Sequence, residues 1–220
     1  MAIEWSKVKA VRIPEGDCKR VTINGTIVWE KGGLPSEYRQ VEYIENTGTQ
    51  YIDTTIHPVL SDGLFAKFQF ISGNLVNYRP FGAYSPGVAI DSTGGLRIWT
   101  QSTSTINPAN KITDGNVHTI QCSEDGTWDY DGETVLIAKP IQNQAKRTIT
   151  LFKANYTNGV MYGEGTSRMY DFQYFRNGEV ICSLVPCYRK SDGEIGMYDL
   201  VNGVFYTNSG SGTFTKGEDV

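Results

Sequence analysis

Asn-Gly and Asp-Gly pairs recur along this chain, and each one demands a sharp reversal. A type I′ corner needs φ > 0 at both central residues, a conformation that Asn, Asp and Gly tolerate best. Between Met169 and Gly217 such pairs stand at Asn177-Gly178, Asp192-Gly193 and Asn202-Gly203. Apolar runs fill the spaces between them, among them Phe172–Phe175 and Val180–Val185. This spacing leaves no room for a helix and predicts antiparallel sheet. Counting outward from Asn202-Gly203 as a two-residue loop pairs Val201 with Val204, Leu200 with Phe205 and Asp199 with Tyr206.

The same grammar covers the rest of the chain. Asn24-Gly25 separates Cys18–Ile23 from Thr26–Glu30, a hairpin that would set Val21 against Val28 and Arg20 against Trp29. A lone two-stranded hairpin is marginal in water. Its apolar residues, Val21, Ile23, Ile27, Val28 and Trp29, therefore need a partner surface: the rest of the chain, another copy, or a larger assembly. Lys31–Pro35 reads as a linker, which predicts a small element over 1–33 and a main domain over 34–220. Further strands are expected at Val41–Glu45 and Gln50–Thr54 on either side of Gly48, and at Leu64–Ile71, Val88–Asp91 and Leu96–Gln101. Val117–Ser123, Thr134–Ala138, Thr148–Ala154 and Met169–Phe175 continue the series, with a very short strand between Asp125-Gly126 and Asp131-Gly132. Apolar residues on both faces of Leu64–Ile71 predict a central strand sandwiched between layers. Ser102–Lys111 reads as an exposed loop, Asn158–Gly165 as a Gly-rich one, and Ser36–Gln40 as a single helical turn. Strands recurring about every ten residues predict an all-β, two-sheet antiparallel sandwich. A domain of roughly 185 residues suits a jelly roll better than an immunoglobulin fold.

Charge and cysteine usage exclude several classes. With 24 acidic and 20 basic residues, a formal charge of −4, the chain has no basic footprint for nucleic acid. No apolar run approaches the roughly 20 residues that span a bilayer. The opening MAIEWSKVKAVRIPEG lacks the apolar core of a secretory signal, so folding in a cytoplasm is expected. Cys18, Cys122, Cys182 and Cys187 are scattered, and the only histidines are His57 and His118. Neither a metal knuckle nor a redox pair is indicated, and buried thiols packing as small apolar groups are expected. Asp125, Asp129, Asp131 and Glu133 crowd together as a calcium loop would, but they fall at turns between strands. The expectation is no cofactor; calcium is compatible with the fold class and not indicated by these residues.

Two longer motifs add a resemblance. Leu34-Pro-Ser-Glu-Tyr-Arg-Gln-Val-Glu-Tyr-Ile through Thr54 resembles the opening of a laminin-G/concanavalin A-like module. Val185-Pro-Cys-Tyr-Arg-Lys-Ser-Asp-Gly-Glu-Ile-Gly-Met-Tyr-Asp-Leu-Val-Asn-Gly-Val-Phe-Tyr, followed by Gly210–Phe214, resembles its close. Val117-His-Thr-Ile through Asp131-Gly132 is similar to a hairpin of the same superfamily. Such modules recur in structural proteins of tailed phages and prophages of Gram-positive gut bacteria. The resemblance implies a concanavalin A-like jelly roll on a virion surface, on a tail or a capsid appendage, touching host or mucosal glycans. Arg20–Glu30 is similar to short elements of phage structural proteins. It implies attachment to other virion proteins, and a homo-oligomer is compatible with it.

Chemistry at the residues is sparse. The Glu-x-Asp-x-x-Glu pattern of concanavalin A-like glucanases is absent. Asp129 and Asp131, the nearest same-face acids, bracket Tyr130 beside a turn. No G-x-S-x-G occurs. The reading is non-enzymatic, with a glycan-processing enzyme and a ligand-free decoration protein as alternatives. Sugar binding requires an aromatic face flanked by planar polar groups. Candidates are Tyr78, Arg79 and Tyr84 around Tyr-Arg-Pro-Phe-Gly, then Arg97, Trp99 and Gln101 on the following strand, and Asn155 with Tyr156 at a strand end.

Overall fold

The computed structural model describes residues 20–23, 26–30, 33–59, 62–75, 78–83, 86–90, 94–100, 103–106, 111–138, 147–155, 161–163 and 165–220. Two compact units divide the chain at Gly33/Leu34. In the first, β1 (Arg20–Ile23) and β2 (Thr26–Glu30) form an antiparallel hairpin. Ile23 pairs with Thr26 and Thr22 with Ile27, the register of a two-residue loop, but a bulge then sets Val21 against Trp29 and Arg20 against Glu30. The counted pairs Val21–Val28 and Arg20–Trp29 are thus displaced by one residue, as an extra residue in one strand requires. The side chains of this hairpin lie outside the described residues, and so do Asn24 and Gly25.

The second unit runs through β3 (Tyr38–Gln40), β4 (Ile44–Glu45), β5 (Ile52–Asp53), β6 (Gly63–Gly73), β7 (Phe81–Gly82), β8 (Gly87–Ile90), β9 (Leu96–Trp99) and β10 (Thr103–Ile106). It continues with β11 (Val117–Cys122), β12 (Thr127–Tyr130), β13 (Glu133–Ile137), β14 (Thr150–Leu151), β15 (Ala154–Asn155) and β16 (Met161–Tyr162). It closes with β17 (Gly165–Arg176), β18 (Glu179–Arg189), β19 (Ile195–Asp199), β20 (Val204–Tyr206) and β21 (Thr215–Lys216). One large sheet has the order β13-β12-β11-β6-β17-β18-β19-β20, joined by β3 on β18, β4 on β17 and β21 on β4. A smaller sheet has the order β10-β9-β8-β7-β14-β5, and β15 pairs with β16. The fold is all-β, and its two main sheets share one core. Phe81 of the small sheet meets Phe68 and Phe172 of the large one edge-on, with ring centroids 5.6 and 6.1 Å apart.

β6 is central, between β11 and β17, but only one of its faces is packed. Leu64, Ala66, Phe68 and Phe70 are all buried, whereas Phe65 is half-buried and Ile71 exposed. The expectation of apolar layers on both sides is corrected: strict alternation puts the polar Lys67 and Gln69 on the outer face with Phe65 and Ile71. The strands flanking Gly48 go to different sheets, β4 pairing with β17 and β5 with β14. Buried Asn46 holds that corner, its Nδ2 donating to Gly165 O at 2.9 Å and its Oδ1 accepting from Ser167 N at 2.8 Å. The sequence ends of this unit meet in the sheet, since β4 lies between β17 and β21.

Four other expectations change, the first within Asn158–Gly165, where Met161–Tyr162 forms β16 against β15 and Gly165 opens β17 instead of a loop. Thr148–Ala154 is interrupted at Phe152, whose φ of 68° turns the chain between β14 and β15. Bulky residues seldom adopt that region; here Phe152 N donates to Pro80 O at 2.6 Å, and its buried ring lies 5.0 Å from that of Phe214. The polar run after Gln101 folds back as β10, pairing with β9, rather than remaining a loop. Ser36–Gln40 leads through a turn into β3, where a helical turn was expected.

The corners divide by mechanism. Asn177 and Gly178 have φ of 54° and 76°, and Arg176 pairs with Glu179, the two-residue loop expected. Asp131 and Gly132 do the same at 50° and 83°. Around Asn202-Gly203 the pairs are instead Asp199–Val204 and Tyr198–Phe205. The cause is Asp199, fully buried, whose Oδ1 accepts the backbone N–H of Ser183, Val201 and Asn202. This carboxylate makes a four-residue turn better satisfied than a two-residue one.

Candidate functional site

Strand alternation decides which side chains face out of each sheet. In β8 and β9, Val88, Ile90, Leu96 and Ile98 are in the core, so Gly87, Ala89, Arg97 and Trp99 take the outer face of the small sheet. Pairing places Gly87 opposite Trp99 and Ala89 opposite Arg97. Gly87 and Ala89 are buried although they face outward, a cover that the two long side chains opposite are placed to provide. The guanidinium of Arg79 lies 4.2 Å from the centre of the Trp99 ring, a cation–π stack. Arg79, Arg97 and Trp99 are each half-buried. The side chain of Arg97 makes no hydrogen bond, ion pair or ring contact among the described residues, and its Nε is buried without an acceptor.

Of the residues expected at a saccharide surface, the structure therefore brings Arg79, Arg97 and Trp99 to one face. Tyr78 is corrected: it is fully buried, its ring 4.8 Å from that of Phe70 and pressed against Gly165, where a Cβ would lie 2.5 Å from the ring. Burial raises its phenol well above the ordinary value. Asn155 is half-buried on β15; its Nδ2 reaches Thr148 Oγ1 at 3.4 Å and its Oδ1 is buried without a partner. Tyr84, Gln101 and Tyr156 lie outside the described residues.

The outer face of the large sheet carries a polar–aromatic network that sequence reasoning missed. Arg168 Nε donates to Glu45 Oε2 at 2.5 Å and Nη1 to Gln69 Oε1 at 3.3 Å, and its guanidinium lies 4.3 Å from the centre of the Tyr43 ring. Tyr170 OH donates to Gln69 Oε1 at 2.9 Å, and Gln69 Nε2 donates to Gly115 O at 2.6 Å. Burial acts to lower the Arg168 pKa, but hydrogen bonding and charge attraction to Glu45, with smaller contributions from Tyr43 and Tyr170, leave it raised. Beside it, Asp171 accepts from Gln173 Nε2 at 3.1 Å through Oδ2, and its Oδ1 is buried without a partner. Burial raises this carboxyl, which stands opposite Lys67 in the β6–β17 register. Alternation along β17 was the available signal, but a bulge at Tyr170 breaks its period.

The acids weighed for catalysis have structural partners. Asp129 accepts from Thr134 Oγ1 at 2.6 Å. Asp131 accepts from Thr119 N and faces His118 Nδ1 at 2.8 Å. Asp114 faces His118 Nε2 at 3.0 Å, and the ring stacks on Tyr130, so this buried histidine is wedged between two carboxylates. A cavity of about 260 Å³ lies at the ends of β6, β11 and β17, bordered by Cys122, Glu124 and Phe175. Burial, reinforced by Asp125 and Asp129, pushes the Cys122 thiol up to about 12, which keeps it protonated and unsuited to nucleophilic attack. Cys182 and Cys187 are likewise buried free thiols. Among the described residues no group of three or more His, Cys, Asp or Glu side chains could hold a metal ion. No described helix is long and apolar enough to cross a membrane. No protein-family model matches the chain, and no curated protein gives a match.

Proposed function

We propose that the unit from Leu34 to Val220 is a non-enzymatic saccharide-binding domain, a jelly roll of concanavalin A-like type displayed on a tailed-phage virion. In this reading the hairpin β1–β2 joins it to other virion proteins through Val21, Ile23, Ile27, Val28 and Trp29. The observation that carries the binding function is the layer of Arg79 stacked on Trp99 with Arg97 beside it. An indole and two guanidinium groups on one outward face offer a stacking surface and planar donors, the pair of features that sugar recognition uses. The motifs at Leu34–Thr54 and Val185–Phe214 support the virion assignment. A glycan array and intact host cells, probed with the whole chain, test the binding. Trp99→Ala is expected to lower retained binding about tenfold or more, the loss of one stacked aromatic anchor. Binding to no glycan and to no host cell would end this reading. Gold-labelled antibody raised against the chain, applied to virions from its source, tests the location separately.

A further inference from the structure

We infer that the outer face of the small sheet recognises an acidic saccharide, one whose carboxylate pairs with Arg97 while its ring lies along the Arg79–Trp99 stack. The inference rests on the saccharide-binding reading and specifies its ligand class. Its ground is Arg97. A guanidinium carries five N–H donors and keeps its charge at any pH a protein survives. Burying one of these donors without an acceptor is unfavourable, and buried donors are nearly always paired. Arg97 has a buried Nε, and its side chain has no partner among the described residues.

The neighbouring groups narrow the ligand further. On the β8 side, Ala89 and Gly87, opposite Arg97 and Trp99, bring no acceptor side chain; on the β10 side the register sets Thr105 opposite Arg97 and Thr103 opposite Trp99. Arg176 provides the contrast: it grips Asp62 with two donors, Nε to Oδ1 at 2.9 Å and Nη2 to Oδ2 at 2.7 Å. At Arg97 the donors that face outward are the two Nη groups, and an arriving carboxylate would bind across them in a fork of that kind. Arg79 on the Trp99 ring adds a second positive charge to the face. A neutral sugar would find a stacking surface there but would leave the charge of Arg97 unanswered. An acidic sugar meets both.

Isothermal titration of the whole chain decides the matter, with three probes: 3′-sialyllactose, a trimer of galacturonic acid, and lactose as the neutral control. At least one acidic probe is expected to bind more tightly than lactose and to weaken as salt is raised. Arg97→Gln should lower that affinity about tenfold or more, the effect of removing a charge-assisted hydrogen bond. Arg97→Lys, which keeps the charge and loses the fork, should fall between the two. The unfolding midpoint of each variant separates loss of the site from loss of the fold. The inference is overturned if neither acidic probe binds better than lactose, or if a correctly folded Arg97→Gln binds them as wild type does. Should neutral array glycans bind in a Trp99-dependent way while both acids fail, the broader saccharide reading stands and this one falls. Should no glycan of any kind bind, both fall.

Discussion

The two outward sheet faces treat an arginine in opposite ways. On the large sheet Arg168 is enclosed by acceptors and an aromatic ring: Glu45, Gln69 and Tyr43. On the small sheet the Arg97 side chain is also partly buried, yet nothing among the described residues accepts from it. The large face has its own unsatisfied atom, Asp171 Oδ1, but a carboxyl can take up a proton and has Lys67 across the strand pair. A guanidinium has no such recourse. Partly buried charge is thus no guide to function by itself. What separates a structural network from a binding surface is whether the fold supplies the last partner.

Four measurements break or sharpen this contrast. The largest effect is expected at Tyr78, assigned to the core beneath both faces. Tyr78→Ala should destabilise by about 4 kcal/mol in urea unfolding; a variant that keeps its stability while losing saccharide binding would return Tyr78 to the surface. Arg168→Ala should cost about 2 kcal/mol, between the values for exposed and buried pairs, because Glu45 loses its partner, and saccharide binding should not change. A change in binding there would make the large face a second site.

Acid should weaken the large-sheet side next. The carboxyls of Asp114 and Asp219 are held below their ordinary 3.8, the first by the Asn116 backbone N–H and the second by Lys216. A carboxyl depressed in the folded state stabilises fully above its unfolded value, and this contribution is lost as pH falls through the folded one. Unfolding midpoints should therefore drop below about pH 4, and Asp219→Asn should flatten that drop. The smallest effect is expected for Arg97→Gln, within about 0.5 kcal/mol of wild type, since no internal bond is lost. A loss well beyond that in unfolding would reveal a structural partner for Arg97 and erase the distinction between the faces.

Local features were readable from sequence and distant ones were not. Asn177-Gly178 forms its expected turn because both residues accept positive φ without outside help. Asn202-Gly203 does not, because Asp199 captures three backbone N–H groups, one from β18 and two from the turn itself. Arg97 and Trp99 share a face by simple alternation, so their neighbourhood could be expected. Tyr78 could not be placed in the same way, since a tyrosine beside Arg-Pro reads as a loop residue until the strands around it are assembled. The network on the large sheet joins Glu45, Gln69 and Arg168, whose partnership depends on β4, β6 and β17 lying side by side. No short-range pattern reports that.

The position of Trp99, across from a glycine and beneath a guanidinium, bears on how the face would work as well as where. Arg79 lies over its indole, which restricts its rotamer before any ligand arrives. Side-chain ordering usually consumes about 0.5–1.5 kcal/mol per residue on association, and here folding has already absorbed it. A sugar meeting such a surface needs no rearrangement of the protein. On the proposed reading, a single contact would be the stronger for that ordering having been met beforehand.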